Sequence, residues 1–285
     1  MKKNTSDAAQ WTKNLIEAFI ETSPENTLAD QSGEKAWDDF LVGFAAGADS
    51  IFLDYKDHVG DFHWTPEEIF NMTFPEQKAE AEELTVISYI LPQAQATRKD
   101  NREMKSRPSE RWARVRIYGE KFNEELQRHL AGSFNEAGIQ AVAPTLTEGW
   151  KVTVSPKYGY ASFWSQRHAA YAAGLGTFGL CDGLITSKGK AMRAGSVVVR
   201  LPIPPTPRPY TDHRQYCLFH ADGSCGECIS RCPVGALSEH GHDKVKCRQF
   251  LRDVTAPYVK DNFGFDGYGC GLCQTGVACE SGIPV

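Results

Sequence analysis

Two stretches near the end of the chain decide its fold: CLFHADGSCGECISRCP (217–233) and GCGLCQTGVACE (269–280). The first spaces its thiols as Cys217-x7-Cys225-x2-Cys228-x3-Cys232-Pro233. With Cys247 upstream, the second gives Cys247-x22-Cys270-x2-Cys273-x5-Cys279. The chain has 285 residues and nine cysteines, and none precedes Cys181. A protein that used cysteine only as a small core residue would scatter it. A disulfide scaffold would be short and would carry a secretion signal. Clustered thiols in a long chain point instead to metal held by reduced thiolates.

The spacing says which metal centre. A C-x2-C pair lets two thiolates reach one centre across a tight turn. The x3-C-P that follows Cys228 is the ending found in bacterial ferredoxins, where the fourth cysteine crosses to the other cluster. Two such groups predict two [4Fe–4S] clusters. By the ferredoxin rule Cys217, Cys225, Cys228 and Cys279 hold one, and Cys247, Cys270, Cys273 and Cys232 hold the other. The first spacing is longer than in ferredoxins, which places Cys217 on an inserted loop. Glu280 stands where a proline is usual. A pair of zinc sites, each held by four cysteines, is the alternative, and C-x2-C-x3-C-P is not a zinc-ribbon pattern.

About 210 residues precede this module. Hydrophobic residues make up 41% and charged residues 24%, as in an ordinary globular protein. Net charge is −5, which argues against nucleic acid as the main partner. The longest run without a charge, 84–97, contains Pro92 and is too short to span a membrane. The N-terminus has neither the apolar core of a signal peptide nor a twin arginine, so a cytoplasmic protein is expected.

Residues 11–22 carry Trp11, Leu15, Ile16, Phe19 and Ile20 at helical spacing, and 24–34 read as a loop. Trp37, Phe40, Leu41 and Phe44 suggest a second helix. Thr65-Pro66-Glu67-Glu68 is a capping box at a helix start. Residues 84–91 (LTVISYIL) predict a buried strand. The charged run 98–111 reads as a solvated loop. A long helix is expected from Ser109 to Ala137, a short strand over 151–154, a helix over 162–173 that Gly174 ends, and a strand over 195–201. Five prolines between Pro202 and Pro209 predict an extended connector. The expected architecture is α+β: a mainly helical segment (1–80), an α/β core (81–208) and a ferredoxin-like module (209–285).

Gly174-Leu175-Gly176-Thr177-Phe178-Gly179 matches G-x-G-x-x-G, but a helix precedes it and no βαβ unit surrounds it, which excludes NAD binding. Glycines here would let backbone lie close to a large flat cofactor.

The loop Ala173 to Gly179, then Leu184-Ile185-Thr186, then Cys247-Arg-Gln-Phe-Leu and Gly269-Cys270-Gly271-Leu272-Cys273-Gln274 together resemble the epoxyqueuosine reductase and reductive dehalogenase superfamily. The resemblance covers roughly 84–285. It implies a nitroreductase-like core that binds base-off cobalamin beside two [4Fe–4S] clusters. Electrons from an external low-potential donor would pass through the clusters to cobalt, which would act on a small-molecule or corrinoid substrate. Gly174, Leu175, Gly176, Gly179 and Cys181 become the cofactor-binding candidates, Cys181 being alternatively an inert buried thiol.

This chain departs from both named branches. Epoxyqueuosine reductases have Trp where Thr177 stands and Gly-Lys-Asn where Gly179-Leu180-Cys181 stand. They place an aspartate acid fourteen residues before the first loop glycine. That position here is Tyr160, and a tyrosine is the proton donor in reductive dehalogenases. A phenol can give a proton to a carbanion-like product if a nearby cation steadies the phenolate, and Arg167 and Arg193 are the candidates. The expectation is a cobalamin-dependent iron–sulfur reductase. The rivals are a corrinoid-binding redox partner or cobalamin reductase with no substrate of its own, and a two-cluster electron carrier.

Overall fold

In the computed structural model of the protein, residues 5–285 are described. Along the chain come α1 (Thr5–Thr22), β1 (Leu41–Ala46), α2 (Ile51–His58), α3 (Pro66–Thr73), β2 (Thr85–Pro92), α4 (Gln95–Glu103), α5 (Glu110–Glu136) and β3 (Ala141–Val142). A hairpin, β4 (Val152–Ser155) and β5 (Gly159–Ser162), leads to α6 (Gln166–Ala172). A second hairpin, β6 (Gly176–Phe178) and β7 (Leu184–Thr186), leads to β8 (Met192–Val199).

β2 and β8 pair antiparallel at the centre of a four-stranded sheet of order β1-β2-β8-β3. Every residue of β2 is buried. Successive side chains of a strand point to opposite faces, and the packing follows that period. Ile87, Tyr89 and Leu91 meet Ile16, Ile20, Phe122, Leu126 and Leu130 from α1 and α5. Val86 and Val198 meet Phe52, Ile69, Phe70 and Trp164 on the other face. The result is helix, sheet, helix. The Thr65 capping box forms, with the Thr65 hydroxyl accepting from Glu68 N and the Glu68 carboxylate accepting from Thr65 N. Ser109 caps α5 as its sequence position predicts.

Three expectations fail. Leu41–Ala46 is a strand rather than part of a helix: it pairs with β2 along its whole length, and that edge pairing outweighs the helical spacing of Phe40, Leu41 and Phe44. Residues 1–80 therefore contribute a strand to the core sheet. Residues 162–165 are not helical, because Ser162 ends β5 and Ser165 caps α6. The charged run 98–111 is not a solvated loop, since its first part belongs to α4 and its Asn101 is wholly buried.

The last segment holds α7 (Leu218–Ala221), α8 (Glu227–Ser230), β9 (Leu237–Ser238), β10 (Gly241–His242), α9 (Lys244–Phe250) and α10 (Ala256–Phe263). α4 is the seam between it and the core. Asn101 Nδ2 donates to the Cys270 carbonyl (3.1 Å) and the Thr275 hydroxyl (3.0 Å), and its Oδ1 accepts from Ser109 N (3.0 Å). Arg231 of the module returns the contact, donating to the Met104 and Asn101 carbonyls. Arg102 pairs with the buried carboxylate of Glu280. Backbone bonds from Lys190 N to Cys279 O (2.9 Å) and Ala191 N to Glu280 O (3.3 Å) tie the start of β8 to the last cysteine. The run of charge thus forms a helix because its polar groups have partners on the module.

Candidate metal centres

All nine cysteines are free thiols. Cys217, Cys225, Cys228 and Cys279 line one cavity together with Leu180, Phe219, Val277, Pro284 and Lys190. These are the four that the ferredoxin rule assigns to one centre. Cys279 takes its place despite the missing proline because Glu280 anchors it. The Glu280 carboxylate accepts from Gly276 N and Arg102, and its carbonyl accepts from Ala191 N. The second set lies around Cys270. Burial and the neighbouring Cys247 and Cys232 push the Cys270 thiol up to about 11. Cys232 Sγ accepts from Ala236 N at 3.2 Å. Among the described residues no three of His, Cys, Asp and Glu are arranged around a single ion.

Cys181, in neither set, sits between Cys228 of the first and Cys273 of the second. Cys181 is hydrogen-bonded to Cys228 and to Cys273, and these bonds hold its thiol well below the ordinary range against the effect of burial. The same bond with Cys181, reinforced by burial, pushes Cys273 upward. Lys190 Nζ lies 3.4 Å from Cys181 Sγ. Burial disfavours the Lys190 charge, but Cys181, Cys279, Cys228 and Cys273 outweigh it and raise its pKa. The sequence marked Cys181 and passed over Lys190. Nothing in the spacing of a lysine announces a burial partner.

The second set has a polar rim. His242 Nδ1 lies 3.2 Å from Asp182, and Lys244 Nζ 3.6 Å from the same carboxylate. Burial opposes the His242 charge, yet Asp182 and Cys247 lift it to about 9. Tyr160, on β5, is half-buried against α9: the Arg248 guanidinium lies 4.4 Å over its ring, and the Tyr160 carbonyl accepts from Lys244 (3.2 Å). The cation against Tyr160 is therefore Arg248, the residue after Cys247. Arg193 is paired elsewhere, 3.1 Å from Glu120, and burial together with Arg116 lowers it to about 10. Arg167 is exposed on α6, where its charge is felt by Glu120 and Asp182.

The glycine loop is tightly packed at two positions. Gly174 ends α6 at φ +78, and a Cβ there would stand 2.7 Å from the Pro207 carbonyl oxygen of the connector. At Gly176 a Cβ would collide with the carbonyl oxygen of Ile185 in the paired strand β7. Leu175 packs on Gly43 of β1, Gly179 faces the Ile185 side chain, and Cys181 is buried among thiols. The absence of a side chain at Gly174 and Gly176 is thus required by the neighbouring chain, at Pro207 and Ile185.

No family model matches the chain. Two curated relatives, both named epoxyqueuosine reductase, align over 116 residues: one from Bacillus anthracis at 34% identity and one from Staphylococcus aureus at 33%. Each alignment covers 39% of this chain and 28% of the relative, so the chain matches well under a third of those proteins' length. A crystal structure of epoxyqueuosine reductase with an epoxyqueuosine-modified tRNA-Tyr stem loop superposes with a TM-score of 0.50 at 17% identity. It covers 99% of this chain and 68% of that one. The chain therefore resembles epoxyqueuosine reductases in sequence over that part of its length, and its mixed helix-and-sheet architecture is the fold of that structure.

Proposed function

We propose that this chain is an iron–sulfur oxidoreductase of the epoxyqueuosine reductase and reductive dehalogenase kind, with two [4Fe–4S] clusters on a ferredoxin-like module beside a nitroreductase-like core. The observation that carries it is the convergence of Cys217, Cys225 and Cys228 with the remote Cys279 on one apolar cavity. When bound, the clusters take up and release single electrons. The protein's own part is to supply eight thiolates, to exclude water with Leu180, Phe219 and Val277, and to keep Cys270 and Cys279 in place through Asn101 and Glu280. At the second set Tyr160 holds a proton on its hydroxyl, and the face-on Arg248 steadies the phenolate left when that proton moves to a product. Partners in this reading are an external low-potential donor and a small-molecule or corrinoid acceptor, in the cytoplasm. Among the described residues no helix is long and apolar enough to cross a membrane.

A base-off cobalamin rests on the resemblance alone. One observation favours a second reading, a two-cluster electron carrier whose front domain docks partners: the glycine loop is packed on the chain itself. Anaerobic reconstitution followed by cobalamin titration, watched by absorption and EPR, separates the two. Saturable binding with a base-off cobalt signal supports the reductase. Fully loaded protein that binds no cobalamin leaves the carrier.

A further inference from the structure

Lys190 is 3% exposed. It lines the same cavity as Cys217, Cys225, Cys228 and Cys279. Its backbone N donates to the Cys279 carbonyl, and its side chain runs past Gly183, whose missing Cβ would stand 3.5 Å from Lys190 Cδ. The ammonium ends 3.4 Å from Cys181 Sγ, and its charge acts on Cys279. Among the described residues no carboxylate pairs with it. A buried ammonium without a carboxylate is costly unless another negative group compensates it. The groups present are thiols. Cys181 bridges Cys228 of the first set and Cys273 of the second, so the cation stands at the junction of both.

We infer that Lys190 is a positioning residue for charge: a fixed buried cation that raises the reduction potential of the cluster held by Cys217, Cys225, Cys228 and Cys279, and to a lesser degree that of its neighbour. The inference rests on reading these cysteines as cluster ligands. Adding an electron to a cluster makes it more negative, and a cation a few ångströms away in an apolar surround stabilises the reduced form more than the oxidised one. The cluster is reduced by one electron from the external donor, with no bond made or broken at Lys190.

The test uses the full-length reconstituted protein, Lys190→Met and Lys190→Arg, with iron and sulfide counted first and midpoints then read by EPR redox titration. Lys190→Met keeps length and apolar stem but removes the charge. It should lower the reduced fraction at fixed potential about tenfold, 59 mV for a one-electron couple, while Lys190→Arg stays near wild type. Unchanged midpoints in loaded Lys190→Met overturn the inference. If Lys190→Met fails to load, loading of Lys190→Arg at wild-type potential upholds the role of charge. Failure of both overturns it in favour of lysine's shape. Wild-type protein without acid-labile sulfide overturns the cluster reading itself, a result distinct from all of these.

Discussion

Asn101 is the sharpest place to test how the core holds the second metal site. It is wholly buried and makes three hydrogen bonds: to the Cys270 carbonyl, to the Thr275 hydroxyl and from Ser109 N at the start of α5. Asn101→Ala removes all three and leaves Ser109 N and the Cys270 carbonyl without their partner. At about 1 kcal/mol net per bond the loss is about 3 kcal/mol. If the loop carrying Cys270 opens as a unit, that is about two powers of ten in its opening equilibrium. The assay is the rate at which an iron chelator bleaches the reconstituted protein. It should be biphasic in the variant, with one centre released up to about 100-fold faster and the centre lined by Cys217 nearly unchanged. Asn101→Asp keeps the acceptor for Ser109 N and should fall between. Equal bleaching of both centres at the wild-type rate would refute the view that α4 holds the module.

Gly176→Val should produce a folding defect, because the added side chain meets the Ile185 carbonyl oxygen; overpacking of this kind costs about 1–3 kcal/mol or more, and a thermal melt equal to wild type would count against it. His63 is buried with both ring nitrogens unpartnered, and burial lowers it to about 4. The fold keeps it neutral while the unfolded chain takes a proton below about 6.5, so stability is complete above that pH and is lost toward pH 4, by about 3 kcal/mol in all. Urea midpoints at pH 7 and pH 5 should converge in His63→Leu, and an unchanged pH slope would dismiss the effect. Cys225→Ala and Cys232→Ala should damage different centres, so EPR of the two reduced variants should show different surviving signals; the same survivor in both would break the cross-ligation.

The parts of this fold that were legible in the sequence are those whose signal is local. The capping box at Thr65, the apolar stripe of α5 behind Ser109 and the β-branched run of β2 each carry their reason within a few residues. That Cys217, Cys225, Cys228 and Cys279 come to one cavity was legible because their spacing is a constraint within the chain itself. Leu41–Ala46 was not, since helical spacing cannot reveal that β2 offers an open edge. Nor was α4: Arg102 and Asn101 look solvated until Glu280 and Cys270, far along the chain, are brought against them. The packing of the glycine loop was hidden as well. Its motif gives no hint that Pro207 and Ile185 stand where side chains at Gly174 and Gly176 would go. Arg248 and Lys190 escaped notice because their roles depend on partners, Tyr160 and Cys181, that folding alone supplies.

The central claim is that eight thiolates hold two iron–sulfur clusters. Its most direct test is the iron and acid-labile sulfide content of anaerobically reconstituted protein. The account predicts about eight of each per chain, four per cluster, with the Cys181→Ala protein loading equally because Cys181 is not a ligand. About two zinc ions per chain with no labile sulfide would contradict it.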